Sequence, residues 1–223
     1  MQQKKFWAAV SKAAVMALLL MSQVVSAQTP QWVTADYDAV RDFSSQSNPN
    51  GVWSYGWEST LGDTLNLYTL ADTTSVPGMS VFYKSGDNWT DGWPVLGRND
   101  TSKKVCWKTV CIFPAYLLLH PGASGELSVL RWTAPSPGRF LIEGGFVGLD
   151  FVGPTTTDVH VLVNSKRSLL SGPITSYKWP LIVNLTVSVS AGDTVDFAVG
   201  FGKNGNFTCD STGVRFAVTR LDK

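Results

Sequence analysis

From Leu117 onward, apolar and polar positions alternate in short phrases separated by turn residues. Leu117 to His120, Leu127 to Ala134, Arg139 to Phe146, Asp158 to Val163, Leu181 to Ser190, Thr194 to Phe201 and Val214 to Leu221 are rich in β-branched and aromatic residues. Gly, Pro, Asn, Asp or Ser bound each of them, and the pattern predicts seven strands. No helical stripe of comparable length interrupts the series. Parallel strands would need crossover helices, so the expected fold is an antiparallel all-β sandwich or barrel. Within these phrases, Val195, Phe197 and Val199 are expected to point inward and Asp196 and Ala198 outward. Leu130, Trp132 and Ala134 share one face, with Trp132 expected in the core and Arg131 on the opposite face.

The first half is less regular. Gln31 to Asp42 reads as an entry strand or edge segment, and Ser44 to Gly51 as a polar loop with Asn-Pro and Asn-Gly turn steps. In Val52 to Trp57, alternation puts Trp53, Tyr55 and Trp57 on one face, where they either roof the core or form an exposed stacking surface. Asp63 to Leu70 and Met79 to Tyr83 are further expected strands. Ser85 to Pro94 then sets Trp89 and Trp93 among Asp87, Asn88 and Asp91, a loop composition that suits a ligand contact and equally a cap over the end of a sandwich. A polar turn around Gly97 to Lys104 leads to Val110 to Phe113 without a Pro/Ser linker, and no fixed-period repeat is visible.

Lys4 and Lys5, an apolar run over Ala13 to Met21 and the small residues Val25-Ser26-Ala27 read as a secretory signal peptide cleaved after Ala27, too short to span a bilayer. A single domain over residues 28–223 is therefore expected, secreted or periplasmic, with no membrane span. The leader contains three of the 18 basic residues and none of the 17 acidic ones, so the mature chain carries 15 against 17, a net charge of −2. That balance offers no electrostatic reason for a nucleic-acid partner. Export places Cys106, Cys111 and Cys209 in an oxidising compartment. Cys106 and Cys111 are the expected pair, closing a tight loop over Trp107 to Val110, with a bond from Cys209 to one of them as the alternative.

The phrases Leu119-His120-Pro121-Gly122, Arg131-Trp132-Thr133-Ala134-Pro135, Thr156-Thr157-Asp158-Val159-His160-Val161 and Ala191-Gly192-Asp193-Thr194-Val195-Asp196 through Gly200, with Asn204-Gly205 and Asp210 to Gly213, carry a resemblance. Together with Asn48-Pro49-Asn50-Gly51-Val52-Trp53, they are similar to secreted, largely uncharacterised bacterial proteins whose jelly-roll domain resembles carbohydrate-binding modules. The resemblance covers nearly the whole mature chain and implies a jelly-roll β-sandwich and a leaning toward glycan binding. It implies no catalytic residues. Such proteins often end in a hydrophobic sorting segment, whereas this chain ends Arg220-Leu221-Asp222-Lys223, so surface anchoring is not implied.

Candidate chemistry is thin. His120 and His160 lack the His-x-His spacing of a cupin-type metal site. Asp158 and His160 flank one residue and are placed to hydrogen-bond, but no Ser or Cys nucleophile stands near them in sequence. Glu58, Glu126 and Glu143 show no paired-carboxylate pattern for glycoside hydrolysis. Asp193, Asp196, Asn204 and Asp210 form a loose set of calcium candidates, and turn formation accounts for them equally well; no other cofactor is expected. The leading expectation is a non-catalytic protein that binds a polysaccharide or glycan, its Trp53, Tyr55, Trp57, Trp89 and Trp93 rings stacking on sugar faces and Asp87, Asn88 and Asp91 fixing orientation. The rivals are a structural or adhesive envelope protein and a polysaccharide hydrolase or lyase.

Overall fold

The computed structural model describes residues 35–90 and 93–222; the expected leader and its cleavage site lie outside them, as does Asp91. The strands in chain order are β1 (Tyr37–Asp38), β2 (Trp53–Glu58), β3 (Asn66–Leu67), β4 (Leu70–Asp72), β5 (Met79–Tyr83), β6 (Val95–Asn99), β7 (Val105–Trp107) and β8 (Val110–Ile112). They continue as β9 (Leu117–His120), β10 (Leu127–Thr133), β11 (Gly138–Gly148), β12 (Thr157–Val163), β13 (Arg167–Ile174), β14 (Pro180–Val189), β15 (Thr194–Gly200) and β16 (Thr212–Arg220). Every strand pair is antiparallel.

The larger sheet has the order β14-β11-β16-β9-β6-β5-β4, with β1 against β16, and the smaller has the order β13-β12-β15-β10-β2-β3. Taken alone, β9 to β16 give β9-β16-β11-β14 in one sheet and β10-β15-β12-β13 in the other. First lies beside eighth and third beside sixth, second beside seventh and fourth beside fifth, which is the jelly-roll wrapping. The first half of the chain extends this roll: β6, β5 and β4 widen one sheet beyond β9, and β2 and β3 widen the other beyond β10.

Alternation along the strands places the core between the sheets. Val195, Phe197 and Val199 point inward with Leu130 and Trp132, and Phe140, Phe146 and Phe216 meet them from the facing sheet. The Trp132 and Phe140 rings cross edge to face at 5.0 Å, and Phe146 meets Phe216 at 5.1 Å. Arg131, on the outward face, pairs with Asp196 directly across from it. The turn between β14 and β15 is held by Asp193, which accepts the Ser190 amide at 2.7 Å, and by Gly192 at φ 85°.

A second apolar cluster lies on the outer face of the larger sheet. One row across that sheet reads Val81, Gly97, Leu118, Gly213 and Val147, while the next reads Phe82, Leu96 and Leu119 and faces the main core. Strands buried on both faces carry continuous apolar runs, as Leu117-Leu118-Leu119 does. The outer row is covered by the β7–β8 hairpin, and a Cβ on Gly213 would stand 2.9 Å from Val147, so the glycine leaves room for that side chain on the neighbouring strand. Cys106 and Cys111 face each other in that hairpin and form a disulfide; Cys209 is a free thiol.

Candidate ligand-binding cavity

The β7–β8 hairpin turns at Lys108, whose φ is 51°, and presents Trp107 back toward the sheet. The Trp107 ring lies 4.9 Å from that of Trp89, and Lys108 Nζ stands 4.2 Å from the Trp107 ring centre. Trp93 lies 5.1 Å from Phe207 and 6.1 Å from the His120 ring at the end of β9. These side chains, with Thr109, Asp150 and Cys209, surround a cavity of about 180 Å³. Its walls are chiefly apolar, with the rings of Trp89, Trp93, Trp107 and Phe207 among them. A cavity of about 150 Å³ accommodates a benzene ring, so this one has room for a single six-membered ring.

The polar groups of the cavity have settled charge states. Burial works to raise the Asp150 carboxyl, but the Thr109 hydroxyl at 2.6 Å and the amides of Val152 and Gly153 outweigh it and leave the group below the ordinary carboxylate range. Asp150 is therefore an anion at neutral pH. Burial pushes His120 down to about 4 against the opposing pull of Asp150, so its ring is neutral, and its Nδ1 lies 3.2 Å from Ser211 Oγ. Burial, then the Asp150 charge, pushes the Cys209 thiol up and keeps it protonated.

The aromatic residues expected to act together are dispersed. Trp53 and Tyr55 lie wholly inside the main core, Tyr55 against Phe82 and Phe43, so neither ring is available to a sugar; this corrects the exposed-surface alternative. Trp57 is half-buried on the outside edge of that core with Lys84 Nζ 4.3 Å over its ring, away from the cavity. Trp89 and Trp93 do line the cavity, although Trp89 is mostly absorbed in the second apolar cluster. Asp87 is exposed, and Asn88 accepts hydrogen bonds from the Thr90 amide and hydroxyl within its own turn.

The four calcium candidates do not converge. Asp193 and Asp196 lie at the start of β15, the first in a turn and the second paired with Arg131; Asn204 and Asp210 follow its far end, both bonded to Thr156. Asp196 is still four residues of strand, about 13 Å, short of the far end of β15, and Asp193 stands further back. Among the described residues, no group of three His, Cys, Asp or Glu could hold a metal ion. Trp107, Lys108, Asp150 and Phe207 are among the cavity residues that sequence patterning did not single out, and it weighed His120 only as a metal ligand. The Cys106–Cys111 spacing was the available signal, since a closed hairpin fixes the direction of the Trp it carries.

No family model matches the chain, and no curated protein does. Among solved structures, it is similar to a carbohydrate-binding module of Clostridium perfringens in complex with methyl-galactose, at 14% identity and a TM-score of 0.36 over 69% of this chain and 94% of that one. A second C. perfringens structure, with a module bound to GlcNAc, matches at 16% identity and a TM-score of 0.35, over 71% of this chain and 31% of that one. Pika GITRL matches at 16% identity and a TM-score of 0.29, over 43% of this chain and 78% of that one.

Proposed function

We propose that the chain is an exported glycan-binding protein and that one sugar ring enters the cavity between Trp93, Trp107 and Phe207. The aromatic-walled, ring-sized cavity beside the Asp150 carboxylate carries this reading. The C–H faces of a pyranose would rest on the rings, while Lys108 and the remaining acceptor capacity of Asp150 would orient hydroxyl groups. The paired carboxylates that glycoside hydrolysis requires have no counterpart among the described residues, of which Asp150 is the one Asp or Glu lining the cavity. Binding without turnover is the reading for this site.

Tryptophan fluorescence and calorimetric titration against a broad panel of oligosaccharides and polysaccharides test it. Binding that weakens at least about tenfold in Trp107→Ala and Phe207→Ala supports the assignment. Absence of binding across the panel refutes it. A second reading, an adhesive protein working through protein contacts, is favoured by a different observation. Trp179, Ile182 and Val152 are exposed by 76%, 68% and 67%, and exposed Phe151 lies 6.2 Å from Tyr177 near Trp179 in the chain. Self-association in size-exclusion chromatography that Trp179→Ser abolishes, without glycan binding, would select it.

A further inference from the structure

We propose that Ser171, His160 and Asp158 form a nucleophilic acyl-transfer site for small esters on the outer face of the smaller sheet, separate from the cavity. Val159 and Val161 are buried in the main core, so alternation turns His160 outward. The β12–β13 register sets Ser171 directly opposite His160, and Ser171 Oγ lies 2.9 Å from His160 Nδ1. Asp158 stands two residues earlier on the same face, and its Oδ2 lies 2.8 Å from His160 Nε2. Its other oxygen accepts the Gly202 amide at 2.7 Å, so the carboxylate is clamped from both sides. The hydrogen bond from His160 outweighs burial and holds the Asp158 carboxyl below the ordinary range, keeping it an anion.

This is a nucleophile, a base and an orienting carboxylate in an unbroken hydrogen-bonded line, with the two ring nitrogens used in the order Ser to Nδ1 and Asp to Nε2. Ser171 is exposed to an incoming substrate. On the neighbouring strand β15, the residues opposite His160 and Asp158 are the small Ala198 and Gly200, the first packed against Leu127 and Val129. Strand β13 ends the sheet, so those of its amides that point away from β12 take no part in a ladder, and the scheme assigns a developing oxyanion to them.

In the step proposed, Ser171 Oγ attacks the ester carbonyl carbon as its proton passes to His160 Nδ1, and Asp158 stabilises the resulting imidazolium through Nε2–H. The tetrahedral adduct collapses, the bond from carbon to the leaving oxygen breaks, and that oxygen takes the proton from Nδ1 to depart as the alcohol. Water attacks the acyl-serine by the same proton route, releasing the carboxylic acid and restoring the hydroxyl. Ser171 and His160 are catalytic residues in this scheme, and Asp158 is a positioning residue.

The full chain is treated with a fluorophosphonate probe, the modified residue is located by peptide mass mapping, and p-nitrophenyl acetate turnover is followed in parallel. The expected result is a single adduct on Ser171, absent in Ser171→Ala and formed at least about a hundredfold more slowly in His160→Gln, with melting temperatures unchanged. A slowly exchanging downfield proton resonance from His160 Nε2–H should vanish in Asp158→Ala together with most of the labelling, and Asp158→Glu should recover part of both. A folded protein that takes no label on Ser171, or takes it at the same rate in His160→Gln, overturns the proposal.

Discussion

Glu58 is the group whose burial has the most calculable consequence. It closes β2 and is only 1% exposed; Oε2 accepts the Gly62 amide at 2.8 Å, while Oε1 has no hydrogen-bond partner among the described residues. Arg131 Nη2 lies 3.6 Å from Oε1 but is already hydrogen-bonded to Asp196 and to Ser165 Oγ. Burial first, then the Asp196 and Asp63 charges, push the Glu58 carboxyl from 4.5 up to about 7 against the pull of the Gly62 amide and Arg131. The folded chain therefore holds this proton more tightly than the unfolded chain. As pH rises from 4.5 through about 7, stability is lost, by about 3 kcal/mol at most from this group.

Glu58→Gln keeps an acceptor for the Gly62 amide and removes the charge. At about pH 8 the variant should exceed the native protein by about 1 to 3 kcal/mol, and near pH 4.5 the two should agree within about 0.5 kcal/mol. Guanidinium unfolding followed by tryptophan fluorescence, with unchanged m values, measures both differences. Asp210, which burial raises to about 6, and His120 also titrate in this range, but they are common to both proteins and cancel in the comparison. A variant less stable than the native chain by more than about 1 kcal/mol at about pH 8 would refute the reasoning, because it would mean that the Arg131 contact outweighs desolvation.

His120 acts with the opposite sign: its folded value of about 4 lies below the ordinary 6.5, so stability should fall as pH drops from 6.5 toward 4. His120→Gln should flatten that limb of the unfolding curve, by about 3 kcal/mol at most. Replacing Cys106 and Cys111 together by Ser opens a small loop and should cost about 2 kcal/mol in chemical denaturation, with weaker glycan binding because Trp107 rides on that hairpin. The raised Cys209 thiol should react slowly with a maleimide at neutral pH and faster above it, and bound glycan should protect it, both read by mass spectrometry. Trp53→Ala should cost about 3 to 5 kcal/mol of stability as a core truncation, measured by denaturant midpoint, whereas Trp107→Ala should act mainly on binding.

The strand phrases after Leu117 are legible because one side of each strand is buried and the other wet, or because both sides are buried, and either case leaves a mark at period two or in a continuous run. Strand β13 leaves no such mark. Ser168, Ser171, Gly172 and Pro173 read as turn residues, and they pair as a strand because β13 is an edge that tolerates a proline. Asp63 to Leu70, expected as one strand, divides into β3 and the start of β4, which belong to different sheets. Asn99 closes β6 within what reads as a polar turn; it is buried and donates to the Lys103 and Ile112 carbonyls.

Local chemistry in the chain determined the antiparallel all-β class, the inward set of Val195, Phe197, Val199, Leu130 and Trp132, and the turn at Gly192 and Asp193. These follow from side-chain alternation and backbone preference within a few residues. Tertiary structure alone decided which aromatic rings would meet. Trp53 and Tyr55 share a face whose fate depends on the sheet that folds over it, and strands from both halves of the chain build that sheet. Trp93, Trp107 and Phe207 are distant in sequence and become one cavity wall because the hairpin and the loop after β15 close over the same face of the larger sheet. Ser171 reaches His160 through a strand register, a relation between two segments that neither segment carries by itself.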